Sequence, residues 1–234
     1  MSALRAICEE LALANHILSG EEVVDGFGHV SARHPERPDR FLLSEAVSPA
    51  SVTADDILEL TLDGEVVDGE ARKSYLERFI HAAIYAARPD VGAVIHNHSQ
   101  DLIPYGVTGT PIRPLIHTAG AIGHEVPIWD IAERFGDTSL LVTHMDSAED
   151  LARTLGGNTA VLMRGHGATV AGASLRETVL LAIYLQINAR LDLRARHLGP
   201  VRYLSDAEVT LSRDALLGAG PAQRAWDYYA RRWG

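Results

Sequence analysis

Apolar and polar positions alternate along this chain with two different periods. Leu4, Ile7, Leu11, Ala14 and Leu18 recur at three- and four-residue spacing and stop at Gly20, which predicts an opening amphipathic helix. The glycine-rich run Gly26–Arg33 leads into a short predicted strand, and Arg40–Ser44 reads as a second. Ile57–Leu62 alternates with period two, and Asp63-Gly64 turns the chain into Glu65–Val67, a β-hairpin pattern. Ser74–Glu77 opens a predicted helix that runs to about Arg88, before Pro89. Val91–Asn97 follows as an apolar strand. Residues 101–130 are rich in Gly and Pro, with strand-like pieces such as Pro111–Ile116. Thr138–Thr143 reads as a strand, and Ser147 as the cap of a short helix ending at Gly156-Gly157. Thr159–Met163 is a strand that breaks into Arg164–Gly167. Ser174–Glu177 is a capping box for a long helix to about His197, and Pro221–Trp233 is a further helix.

Strands thus come as hairpins and in mixed order with helices between them. The expected fold class is α/β: one domain spanning 1–234, with a mixed, mainly antiparallel central sheet covered by helices on both faces. Composition agrees, since 47% of the 234 residues are hydrophobic and 22% charged, ordinary for a globular chain. No apolar run is long enough to cross a bilayer. The first residues carry acids where a secretory signal would be apolar, so the expectation is an uncleaved cytoplasmic protein. The single cysteine, Cys8, sits among apolar residues and reads as packing. A net charge of −10 without a basic cluster argues against nucleic-acid binding. The basic run Arg190–Arg196 alternates with leucines and reads as an exposed helix face.

The chemistry gathers around Ala93–Ser99. Residues i and i+2 of an extended chain point the same way, so His96 and His98 present two imidazoles together. Imidazole is a common ligand for zinc and other transition metals. His166, between Gly165 and Gly167 after an apolar strand, can project from a tight turn. Glu77 offers a carboxylate, although Ser74 and Glu77 also satisfy a purely structural capping box. Three histidines and a carboxylate suit zinc or manganese.

On this series the sequence resembles the class II aldolase/adducin head family, through Gly26–Arg33, Thr53–Asp63, Glu77–His81, Pro89–Ser99 and Arg164–Gly167. The resemblance implies that His96, His98 and His166 bind a divalent cation, with Mn2+ favoured over Zn2+. It further implies that Glu77 is the acid/base and can touch the metal, and that His81 packs near the site without binding the ion. It implies carbanion chemistry assisted by the cation, and homotetramers with active sites near subunit boundaries.

Where the family's sugar-phosphate aldolases cradle phosphate with small hydroxyl residues, this chain has Glu45-Ala46 and Tyr75-Leu76, and His29 stands in place of an asparagine. Glu45 would repel a phosphate dianion. The expectation is therefore a carbon–carbon lyase that decarboxylates a small carboxylate, similar to a branch acting on a pyridine dicarboxylate. An aldolase or epimerase acting on a sugar is the alternative; a non-catalytic adducin-like scaffold lacks the metal set. Lys73, Arg33, Arg72 and Arg113 are candidate carboxylate anchors, and His29 and Tyr75 candidate walls for a flat ring. The aromatic tail, Trp226, Tyr228, Tyr229 and Trp233, fits either a subunit interface or packing within the chain.

Overall fold

A computed structural model describes residues 2–67 and 72–234. The strands are β1 (His29–Arg33), β2 (Arg40–Ser44), β3 (Ile57–Thr61), β4 (Ala93–Asn97), β5 (Ile128–Trp129), β6 (Ala160–Met163) and β7 (Gly167–Gly172). The helices are α1 (Ala3–Gly20), α2 (Arg78–Ala87), α3 (Ile103–Thr108), α4 (Ile131–Phe135), α5 (Met145–Leu155), α6 (Leu175–Leu198), α7 (Asp206–Leu217) and α8 (Ala219–Trp233). Seven strands form one sheet in the order β3-β2-β1-β4-β7-β6-β5. Every pairing is antiparallel except β5 with β6, so the mixed, mainly antiparallel sheet expected from the sequence is present.

Alternation along the strands builds a core on each face of the sheet. Val30, Ala32, Leu42, Ala93, Ile95, Leu162 and Val170 pack with Leu11, Leu18, Val179 and Ile183 of α1 and α6. Phe41, Leu43, Val94, Val161 and Ala171 pack with Ile80, Ile84, Leu151 and Leu155 of α2 and α5. His29, Ser31 and His96 have the same parity as the second set and are buried on the α2 side. Polar side chains thus interrupt an apolar face where β1 pairs with β4. Ser174 caps α6 by accepting from the Glu177 N–H, which is the N-cap half of the expected capping box. The aromatic tail packs within the chain: Trp226 and Tyr229 are buried, and the Trp233 indole N–H donates to Glu21, while Tyr228 stays exposed. Among the described residues, no helix is long and apolar enough to cross a membrane.

Several elements differ from the sequence reading. Thr138–Thr143 is not a strand, because Leu140 adopts a left-handed φ of 67° and neighbouring backbone groups pair with site side chains rather than with a sheet neighbour. Pro111–Ile116 is irregular, clamped by Asn188 of α6, which accepts from the Leu115 N–H and donates to the Arg113 carbonyl. Ser147 lies inside α5, whose flanking residue is His144. Past Asp63-Gly64, the hairpin's second arm has a single bridge, Leu60 to Val66. The strand β7 and the helices α3, α4 and α7 were not expected.

The β4–β7 contact is tight at Gly167, where an added Cβ would stand 2.0 Å from the Asn97 carbonyl oxygen. Backbone cannot yield there, so Gly167→Ala is expected to cost about 1–3 kcal/mol. Urea denaturation checks this, with Gly157→Ala, whose Cβ would meet nothing within 4 Å, as a control that should change stability less.

Candidate metal centre

Four elements bring the centre together. His96 is near the end of β4 and His98 is one residue past it, so the pleat sends both rings to one side. His166 projects from the β6–β7 turn, which Gly165 makes possible with a φ of 67°. Glu77 flanks the start of α2 but makes no capping hydrogen bond, so the capping-box reading does not hold. Its Oε1 instead accepts from the Val142 N–H at 2.8 Å, which turns Oε2 toward His96 Nε2 (3.4 Å) and His166 Nε2 (3.5 Å). One ligand atom from each of Glu77, His96, His98 and His166 lies within 4.8 Å of all the others.

The donor set fits a cation. The His98 Nδ1–H donates to the Asp25 carboxylate at 3.1 Å, and the His166 Nδ1–H donates to the Leu140 carbonyl at 3.0 Å. Both acceptors can only accept, so in the neutral rings both Nε2 atoms carry lone pairs. Yet these Nε2 atoms stand 3.1 Å apart, and His96 Nε2 is 3.1 Å from that of His98. Lone pairs converging at that range need a positive centre among them, and outer partners of this kind orient metal-binding imidazoles. The Asp25 carboxylate is itself fixed by the Phe27 and Gly28 N–H groups. Burial holds His96 below the ordinary imidazole range, in its ligand-competent neutral form. Burial alone would raise the Glu77 carboxyl, but hydrogen bonds with His166 and His96 outweigh it and keep it well below the usual carboxylate range.

Beside the cluster lies a cavity of about 820 Å3, bounded by His29, Ser48, Lys73, Tyr75, Leu140 and Leu141 together with Glu77, His98 and His166. Lys73 is its only lysine or arginine among the described residues. The Tyr75 hydroxyl donates to the Val47 carbonyl at 2.6 Å, presenting the ring to the cavity. The His29 ring lies tilted against its neighbours, 4.5 Å from Tyr75 and 5.1 Å from His96, ring centre to ring centre.

Three sequence-based assignments need correction. Arg33 is not a substrate anchor, because its guanidinium donates to the carbonyls of Val91, Pro38, Tyr85 and Arg88. Arg72 and Glu45 pair with each other, and neither lines the cavity, so the repulsion argued from Glu45 is compensated. Arg113 lies over the Tyr203 ring, away from the cavity.

Behind His29 stand His81, which the resemblance placed near the site, and Ser31 and Tyr85, which the sequence left unassigned. His29 Nδ1 is 2.6 Å from His81 Nε2, Ser31 Oγ is 2.6 Å from His81 Nδ1, and Ser31 Oγ is 2.8 Å from the Tyr85 hydroxyl. A signal was present in the i, i+2 spacing of His29 and Ser31, and in the four-residue spacing of His81 and Tyr85. Burial pushes His81 down to about 3, and burial and then His81 hold His29 well below its usual value. In the unfolded chain His81 takes a proton below about 6.5, whereas in the fold it stays neutral to about 3. Its contribution is therefore complete above about pH 6.5 and is lost as the pH falls toward 3. Between pH 7 and pH 5 the expected loss is about 2 kcal/mol. Urea midpoints at the two pH values check this, and His81→Gln should flatten the dependence.

Comparison with known proteins agrees with this fold. Residues 9–193 match the Class II Aldolase and Adducin N-terminal domain family. The decarboxylase tropJ of Talaromyces stipitatus is 34% identical over 219 residues, covering 88% of this chain and 77% of its own length. A 3,4-dihydroxyphthalate decarboxylase of Arthrobacter keyseri is 30% identical over 240 residues, covering 96% and 92%. The solved L-fuculose 1-phosphate aldolase from Glaciozyma antarctica PI12 shares the fold, with a TM-score of 0.78 at 23% identity over 97% of this chain and 88% of that one. By these names the relatives are lyases, and the chain belongs to the class II aldolase and adducin N-terminal domain family.

Proposed function

We propose that this chain is a divalent-metal-dependent carboxy-lyase acting on an aromatic carboxylate with a neighbouring hydroxyl, 3-hydroxy-2-methylpyridine-4,5-dicarboxylate being the first candidate. The observation that carries the reading is the cavity: a three-histidine, one-carboxylate cluster at one wall, ring-facing Tyr75 and His29, and a single cation, Lys73. The 3,4-dihydroxyphthalate named for one relative has the same run of hydroxyl, carboxylate and carboxylate around its ring.

His96, His98, His166 and Glu77 would hold the ion, with Mn2+ the first choice and Zn2+ the alternative. When bound, the ion supplies a Lewis acid for the substrate's hydroxyl and adjacent carboxylate. Lys73 pairs with the second carboxylate, and Tyr75 and His29, in contact with each other, form one wall against the ring plane. Glu77, unprotonated at rest, accepts the hydroxyl proton. As the bond to the departing carboxylate breaks, its electron pair stays on the ring carbon and carbon dioxide leaves. Glu77 then returns its proton to that carbon, and the ring oxygen recovers a proton from water. The rim carries exposed Phe27 and Leu76, at 75% and 66%. That supports a neighbouring subunit covering the rim of the site, as in the proposed homotetramer.

Metal-loaded protein is to be incubated with the pyridine dicarboxylate, 3,4-dihydroxyphthalate and L-fuculose 1-phosphate, following carbon dioxide and aldehyde. Carbon dioxide from the pyridine is expected; turnover of the sugar phosphate alone would overturn the proposal. Lys73→Met should raise KM for the dicarboxylate about tenfold or more, with a smaller change in kcat.

A further inference from the structure

The buried polar groups behind His29 form one continuous chain, and its protons can be placed. The Tyr85 hydroxyl is fully buried, and the acceptor within its reach is Ser31 Oγ at 2.8 Å. A buried donor must be satisfied, so the tyrosine donates to the serine. The Ser31 hydroxyl then has two possible acceptors, His81 Nδ1 at 2.6 Å and the Val94 carbonyl at 3.5 Å. The shorter contact is the hydrogen bond, and the serine donates to His81 Nδ1. His81 therefore carries its proton on Nε2, which stands 2.6 Å from His29 Nδ1 and donates to it. That leaves the proton of His29 on Nε2, the ring nitrogen not engaged by this chain, on a residue that lines the cavity.

We propose that Tyr85, Ser31 and His81 are positioning residues that fix His29 as its Nε2–H tautomer, so that the cavity wall presents a hydrogen-bond donor to an anionic oxygen of the substrate. The substrate part rests on the decarboxylase reading above; the tautomer part does not. Register makes the device possible. His29 pairs directly with His96 and Ser31 with Val94, so β1 delivers a donor beside the metal cluster and its support two residues further along the same face. The His81 and Tyr85 side chains, one turn apart on α2, meet Ser31 from the other side. A neutral donor of this kind strengthens its bond as charge develops on the oxygen it faces, and so acts on kcat more than on KM.

Two measurements test this. Ring-nitrogen NMR on the full-length, chelator-treated protein labelled with 15N-histidine, with the His29 signals assigned by their loss in His29→Gln, should show His29 protonated at Nε2 in the wild type. In Ser31→Ala it should show a mixture of tautomers. A proton on Nδ1, or a tautomer unmoved by Ser31→Ala, would overturn the chain. Decarboxylation kinetics on whichever dicarboxylate the protein turns over should show His29→Gln, whose amide can occupy the Nε2 position, to be about tenfold or more as active as His29→Asn. Ser31→Ala should lower kcat about tenfold with metal content unchanged. Equal activity of the glutamine and asparagine variants would overturn the donor role. If no dicarboxylate is turned over, the decarboxylase reading fails while the NMR result still decides the tautomer.

Discussion

Three imidazole nitrogens, two of them on rings with outward-fixed partners, converge here to contacts of 3.1 Å, beside a carboxylate. Asp25 and the Leu140 carbonyl hold the far side of two of those rings, so the lone pairs cannot turn away from one another. Much of the surrounding architecture serves that arrangement. The loop through Leu140 and Val142 departs from extended geometry and holds His166 and Glu77 at the same time. Gly165 and Gly167 allow the β6–β7 turn to press against β4, which brings His166 to His98. A cluster so fixed is expensive without a cation and well prepared for one.

The sheet adds a second constraint. One face carries an ordinary apolar core, while on the other the β1–β4 pairing places His29, Ser31 and His96 against α2. Each of these groups is buried; His29 and Ser31 find partners on α2, and His96 turns Nε2 to the metal cluster while its Nδ1 has no partner. The same interruption gives the neighbouring cavity a wall that can be aromatic and polar together. Lys73 and Tyr75, on the segment leading into α2, supply the charge and the second ring face.

Much of this was legible in the sequence, and the reasons for success and failure are physical. The pair His96 and His98 could be read because strand period two is local. His166 could be read because flanking glycines after an apolar strand mark a turn. Glu77 was ambiguous, since Ser74 and Glu77 spell a capping box that the fold does not make. The strand β7 was missed because Gly167–Gly172 has small residues and only one β-branched pair, Thr169 and Val170, to mark it. Thr138–Thr143 has strand-like composition, but its backbone bonds go to distant side chains, which no local pattern records. Arg33 looked like a free cation; whether an arginine faces substrate or backbone carbonyls depends on tertiary packing. The pairing of His29 with His96 joins residues 67 positions apart, and register across such a distance is not written in either segment alone.

The central claim is that the histidine–glutamate cluster is a metal centre on which the chemistry depends. Elemental analysis of the purified protein after equilibration with Mn2+ or Zn2+ and removal of unbound ion tests it most directly, comparing wild type with His96→Ala. The account predicts one tightly held divalent ion per chain in the wild type and its loss in the variant, with the fold retained by circular dichroism. Wild-type protein that holds no stoichiometric ion, or a His96→Ala variant that holds as much as the wild type, would contradict it.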